Sequence, residues 1–308
     1  MALGEHGSLV SGRVGRVEQI GAVFLRACAL DVAVCKPGNV SHASPGHGMH
    51  AAMFTASAEA AVGPLCRAGA SVGERIEAAV AASWAAVGCN TNLGIVLLCA
   101  PIAAAAERCA APLDREGLRS ALEGVLERLD LDDAAAAYRA IAQANPGGLG
   151  SAPAQDVRRL PSIGLRAAMA LAAERDLIAR QYRDGFIDLF DSVLLQWPAG
   201  LSIDAPLADL GRAVQRVYLA LLASFPDSHI VRKHGEAAAH SVMVAAQRFH
   251  AGTAPTEAAL AAFDETLKSR RINPGTTADL TVATLMLQGL LDPPSSPSDS
   301  TARPWHGT

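Results

Sequence analysis

Aromatic residues are scarce, 4% of 308, and no sign of charge dominates, the formal net charge being −4. With few stacking platforms and no basic excess, the chain lacks both means of holding a nucleic acid, and none is expected as a partner. Strand-like alternation of useful length is also missing. So are G-x-G-x-x-G after a strand, the G-x-x-x-x-G-K-[ST] phosphate loop, H-E-x-x-H and G-x-S-x-G. These absences remove the dinucleotide fold, P-loop nucleotide binding, zincin chemistry and the nucleophile elbow. Apolar stretches are cut by charge, proline or glycine before they reach bilayer length, and the first residues hold no continuous apolar core of a leader. No membrane partner and a soluble, cytoplasmic protein are therefore expected. The six cysteines never form C-x-x-C and sit in apolar stretches, which suits reduced, buried thiols.

What is present is alanine and helical spacing. Hydrophobic residues make up 50% of the chain, with runs such as Ala103 to Ala106 and Ala134 to Ala137 that favour helix and close helix packing. The expected fold is all-α: a single multi-helix domain over 17–291, with polar loops and helix N-termini lining a central cleft. The glycine-rich, aperiodic 1–16 is expected as a mobile arm and 292–308 as a tail disordered by composition. Periodicity predicts helices over 17–35, 49–68, 72–87, 93–106, 115–129, 132–144, 207–224, 237–251, 256–269 and 276–291, with 162–196 as one long helix or a pair broken near Arg180.

Four polar breaks interrupt this apolar background. The first, KPGNVSHASPGHGMH from Lys36, places a cation, Asn39, Ser41 and three histidines, His42, His47 and His50, in an irregular backbone; it reads as a functional loop or as a plain connection. Asp31, one turn earlier, sits where the helix dipole disfavours an acid, so it needs a partner such as Lys36 or a ligand-bound cation. The second break puts Asn90, Thr91 and Asn92 at the start of a helix apolar on all sides, where the positive helix end suits phosphate. The third, FPDSHIVRKHG from Phe225, gathers Asp227, His229, Arg232, Lys233 and His234, the densest chemical cluster in the chain; the plainer reading is an N-capped basic helix start. The fourth, INPGTTADL from Ile272, caps a last apolar helix with Asn273 and Thr276, and Asp279 falls in its first turn. Two further features stay open. Asp176, Arg180, Asp184 and Asp188 recur every fourth residue, as a solvated ladder or, through Asp184 and Asp188, as a Mg²⁺ site. SAPAQDVRRLPS, from Ser151, is either a lid or a surface loop.

KPGNV at Lys36, NTNLG at Asn90, PDSHIVRKHG at Pro226 and NPGTTADL at Asn273 resemble, in that order, the triphosphoribosyl-dephospho-CoA synthase family from about Asp31 to Leu287. The wording of the first two is similar to a divergent branch associated with methanopterin-type one-carbon metabolism. The resemblance implies an all-helical transferase that moves the triphosphoribosyl group of ATP to the 2′-hydroxyl of dephospho-CoA and expels adenine. It differs from better-characterised members in carrying Asn92 and Leu93 in place of a histidine and a lysine, and in having no acid between Lys36 and Glu59. Carried onto this chain, the expected reaction uses Asp227 as base or charge-stabilising carboxylate and His229 as a proton carrier titrating near neutrality. Lys36, Asn39, Asn90, Thr91, Asn92, Arg232 and Thr276 would bind ATP and its phosphates, with Mg²⁺ on Asp184 and Asp188. A homodimer is compatible with this reading. The alternatives are a related ribosyl transferase with another acceptor, a non-catalytic helical binding protein on the same scaffold, and a metal-dependent hydrolase using His42, His47 and His50.

Overall fold

The computed structural model describes residues 4–109, 112–148, 150–152, 154–250 and 255–292. Among them the chain is all-α. The helices are α1 (Gly4–Ala33), α2 (Ala51–Leu65), α3 (Val72–Val87), α4 (Leu93–Arg108), α5 (Arg115–Glu127), α6 (Leu131–Ala144), α7 (Leu165–Ala170), α8 (Leu177–Asp184), α9 (Leu207–Ser224), α10 (Ser228–His234), α11 (Glu236–His250), α12 (Glu257–Ser269) and α13 (Gly275–Leu291). No described helix is long and apolar enough to cross a membrane.

Local chemistry accounts for most boundaries. Ser71 and Glu74 make a reciprocal capping box at α3, as do Asp130 and Asp133 at α6, and Asp114, Asp176 and Thr256 cap α5, α8 and α12. Two expectations change. The first helix begins at Gly4 rather than Val17, so it runs through the stretch expected as an arm. The 162–196 stretch, expected as one helix or a pair broken near Arg180, breaks on both sides of that residue, which lies within α8. It divides into α7, a turn at 171–175 and α8, then ends in a π-helical turn over Leu189–Val193 and a 3-10 turn over Leu194–Gln196. Asp176 caps a fresh helix start after the turn at 171–175, and the left-handed backbone at Gly185 (φ +65°) and Phe186 (φ +58°) then ends α8 and re-aims the chain. The tail beyond Asp292 lies outside the described residues.

Every residue of α4 from Leu93 to Ala106 is buried, as a helix without a polar face must be, and α13 is nearly as enclosed. The two pack on each other and on α1 at the centre of the main core, whereas α9 to α12 enclose a second cluster around Tyr218, Ile230, Phe263 and Leu267. Small residues set the approach of the outer helices. A Cβ on Gly73 of α3 would lie 2.5 Å from the Asp133 Cα of α6, and the Gly73 N–H donates to Asp133 Oδ1 at 2.6 Å. Three of the cysteines, Cys28, Cys66 and Cys99, are buried as expected; Cys35 is exposed, and Cys89 and Cys109 are half-buried. Burial pushes the Cys66 thiol up to about 11 and those of Cys28 and Cys99 well above the usual thiol range, which makes these three poor nucleophiles.

Because the α3–α6 contact is backbone against backbone, Gly73→Ala should lower the unfolding free energy by about 1–3 kcal/mol through overpacking, measurable as a shift in the urea midpoint.

Candidate active site

The four polar breaks meet. α4 and α13 begin, and α1 ends, on one cavity of about 660 Å³, within the range of small-molecule sites. Its wall includes Asp31 from α1, Asn39 from the first loop, Asn90 and Thr91 before α4, His229 and Arg232 from α10, and Asn273, Gly275 and Asp279 around the start of α13. The loop after α6, including Gly147, Gly148 and Asp156, closes another side, so the segment from Ser151 faces the cavity rather than only solvent. Leu97, Ile141, Ala168 and Met169 give the cavity an apolar portion beside this polar one. The N-termini of α4, α8 and α13 reach the wall, and the positive ends of their dipoles bias it toward anions.

The residues expected from sequence divide into those that face the cavity and those that hold it together. Asn39, Asn90, Thr91, His229 and Arg232 face it. Asn39 Nδ2 donates to Asn273 Oδ1 at 3.1 Å, and Asn90 Oδ1 accepts the Leu93 N–H at 3.2 Å, capping α4. Thr91 Oγ1 is hydrogen-bonded to Ser57 Oγ, and the neighbouring Asn92 turns inward, Nδ2 donating to Ser83 Oγ at 3.0 Å, away from the cavity. Arg232 Nη1 donates to Asp176 Oδ2 at 2.6 Å while its Nε is buried without a hydrogen-bond partner. Asp176 uses its other oxygen to accept the Ile178 and Ala179 N–H groups, so one carboxylate fixes both α8 and the guanidinium.

Lys36, Asp227 and Thr276 are sealed from the cavity. The Lys36 ammonium lies 3.0 Å from Asp31 Oδ1 and also donates to the Asp31 carbonyl, so it neutralises the acid at the C-terminal end of α1 instead of presenting charge to a ligand. Burial nonetheless pushes the Asp31 carboxyl up, opposed by Lys36. Asp227 is fully buried. Its Oδ1 caps α10 through the Ile230 N–H at 3.0 Å, and its Oδ2 accepts the Thr277 N–H at 2.7 Å and the Thr277 hydroxyl at 2.8 Å. Its burial raises the carboxyl pKa against those three hydrogen bonds. An acid so occupied has no oxygen left for a substrate, and the base expected at this position is a strut between α10 and α13.

Asp184 and Asp188 also stand apart from the cavity. Asp184 receives Arg183 through Nε at 2.6 Å and Nη2 at 2.9 Å, and the Arg183 guanidinium holds its carboxyl below the usual range. Asp188 lies 3.1 Å from Arg180 Nε and accepts Gln181 Nε2 at 2.9 Å. The ladder reading therefore describes them, and no group of three or more His, Cys, Asp or Glu among the described residues is arranged for a metal ion. Of the loop histidines, His47 Nε2 is 2.9 Å from the Gly38 carbonyl, within the loop.

His229 differs from its expected titration. Burial in the wall, then the charges of Lys233 and Arg232, push its pKa down to about 3, so the imidazole is neutral at pH 7 with Nε2 lacking a partner. The acids on the wall are Asp31, Asp156, Asp176 and Asp279, none of them among the residues expected to bind ATP or to act in catalysis. The Asp279 carboxylate makes no hydrogen bond or ion pair among the described residues. Read along the sequence it is an ordinary first-turn acid of α13; only the glycine of NTNLG, which lies against it, carries a trace of its position.

A family model for ATP:dephospho-CoA triphosphoribosyl transferase (CitG) matches residues 17–297. A solved structure from Archaeoglobus fulgidus, described as a triphosphoribosyl-dephospho-CoA synthase, aligns with a TM-score of 0.59 over 77% of this chain and 98% of that one. At 24% identity this similarity establishes a shared fold. No curated protein matches.

Replacing Asp227 by asparagine puts an amide where two donors from Thr277 converge, and should cost about 1–3 kcal/mol of stability, read as a lower urea midpoint. His229 has a folded pKa below its ordinary value of 6.5, so its contribution to stability is present above that pH and is lost as pH falls toward about 3. His229→Gln should accordingly reduce the fall in melting temperature between neutral and acid pH relative to the parent chain.

Proposed function

The chain belongs to the ATP:dephospho-CoA triphosphoribosyl transferase family and is a ribosyl-transferring enzyme; on that premise we propose that its cavity moves the triphosphoribosyl group of ATP to the 2′-hydroxyl of 3′-dephospho-CoA with release of adenine. The observation that carries the reading is the convergence of Asn39, Asn90, His229, Arg232 and Asn273, drawn from four distant breaks, on one wall with an apolar recess beside it.

Each part of that wall has a task. Arg232, locked in direction by Asp176, offers a fixed guanidinium to phosphate oxygens, and Arg175 adds a second cation at the rim. The N-termini of α4 and α13 supply partial positive charge without a lysine, which compensates for Leu93 standing where related proteins carry one. Asn39, Asn90 and Thr91 provide amide and hydroxyl groups that suit ribose hydroxyls. The neutral His229 can donate through one ring nitrogen and accept through the other, and a bound polyanion beside it raises its proton affinity toward the working pH. Expulsion of adenine from C1′ develops positive charge on the sugar, as glycosyl transfer does, and carboxylates on the wall stabilise that charge. Asp184 and Asp188 do not fit a magnesium site because arginine already occupies them. Mg²⁺ enters with ATP as part of the substrate, keeping most of its water shell.

The test is chromatography of the reaction mixture. ATP, Mg²⁺ and dephospho-CoA together should release adenine in step with acceptor consumption, whereas ATP and Mg²⁺ alone should not. Adenine that appears only with a methanopterin-type precursor would keep the transferase and change its acceptor. A melting temperature that ATP with Mg²⁺ leaves unmoved, together with no adenine, would sink the enzyme reading in favour of a binding scaffold.

A further inference from the structure

The cavity holds a carboxylate that a glycine makes room for and that has no hydrogen-bond or ion-pair partner among the described residues. Asp279 stands on α13 one turn beyond Gly275, and it lies flat against the first turn of α4. A Cβ on Gly94 would fall on the Asp279 carboxylate, 2.5 Å from its Cγ, and 2.9 Å from Ile178 Cδ1. A side chain at position 94 would compete with the Asp279 carboxylate for the space between α4 and α8. The other acids at the wall are spoken for: Asp31 by Lys36, Asp156 by the Ala152 and Arg158 N–H groups, and Asp176 by Arg232 and the start of α8. Across from Asp279, Gly275 brings the α13 backbone against the ring of His229, with a Cβ there 3.3 Å from Nδ1.

We propose that Asp279 is the general base of the transfer, a catalytic residue that takes the proton of the acceptor hydroxyl, and that Gly94 is a positioning residue that makes room for it. The inference rests on the transferase reading above. In the step, the acceptor O–H bond breaks and its proton passes to an Asp279 oxygen. The oxygen's electron pair forms the bond to C1′ of the ATP ribose, and the C1′–N9 bond breaks with its pair going to adenine. Adenine gains one proton from water and Asp279 returns one to water, so the turnover balances as ATP plus alcohol giving the triphosphoribosyl O-glycoside and adenine.

The surroundings suit a base. Hydrogen-bond donors lower the basicity of a carboxylate and occupy its oxygens, as Ile230 and Thr277 occupy those of Asp227, while one without donors keeps its oxygens free for a substrate proton. Asp279 is pushed well above the usual carboxylate range by burial and by the charges of Asp31 and Asp227, with Arg232 opposing and Asp176 adding. The charged groups that act on it are Asp31, itself paired with Lys36, and Asp227, Arg232 and Asp176, while the neutral His229 shares the wall. With folded pKa above unfolded, Asp279 favours the fold at acid pH and loses that contribution as pH rises through its folded pKa.

The experiment compares the parent chain with Asp279→Asn, Asp279→Glu and Gly94→Ala, measuring kcat and KM for adenine release across pH, together with melting temperature. Asp279→Asn should lower kcat roughly 10²- to 10⁴-fold, leave the KM for ATP within about threefold, remove the acidic limb of the pH profile, and melt no lower than the parent at pH 8. Asp279→Glu should recover part of kcat with a displaced acidic limb, a recovery that a packing role would not give. Gly94→Ala should reduce kcat by crowding the carboxylate while Asp279 itself remains; should that variant fail to fold, the two Asp279 variants decide alone. An Asp279→Asn chain within about fivefold of parental kcat, or one with the acidic limb intact, overturns the inference and leaves the transferase standing. A parent chain that releases no adenine with any acceptor overturns both.

Discussion

The arrangement of the site depends on a carboxylate that no solvent touches. Asp227 binds the first turn of α10 with one oxygen and the first turn of α13 with the other. Through that single residue, His229 and Arg232 on one helix are held at a set distance from Gly275 and Asp279 on the other. Burying an ionised acid is costly, and three hydrogen bonds offset the cost only when both helix starts are in register. The interaction therefore acts as a geometric lock. The bonds it makes are those a helix start leaves unmade in any case, so the lock uses donors that the fold would otherwise have to satisfy with water.

Around the lock, charges are assigned in pairs. Lys36 faces Asp31, Arg232 faces Asp176, Lys268 faces Asp264, and Arg180 and Arg183 face Asp188 and Asp184. The Arg–Asp pairs away from the cavity are partly exposed and contribute little to stability. Their effect on function is subtractive: they take four charged side chains out of contention for a ligand or a metal. What survives this accounting at the cavity is an arginine with a buried, unpartnered Nε, a neutral histidine with a bare ring nitrogen, and Asp279. A basic and an acidic end remain in one chamber, as a reaction that binds a polyanion and deprotonates an alcohol requires.

The helical plan was legible in advance to a useful degree. The bounds expected for 72–87 and 207–224 coincide with α3 and α9, because apolar spacing and capping residues act over a few residues. The burial of α4 on all sides followed from its having no polar face. The 162–196 region did not yield, since the end of α8 depends on two successive left-handed residues, of which Phe186 gives no compositional warning. Lys36 had been expected both as the partner of Asp31 and as a phosphate ligand. The first role needs only the short reach across a helix end, whereas the second needs the ammonium to point outward, and it points inward.

What the sequence determined by itself was the helical class, the four breaks and, through the wording of those breaks, the family. All of these reside in patterns a few residues long. Tertiary structure alone decided which polar side chains the breaks present and which they spend internally. Asp227 finds Thr277 fifty positions away, and Asp279 finds its slot against Gly94, far back along the chain. A carboxylate's role follows from whether donors reach it, and the donors here come from helices that meet only once the core has closed.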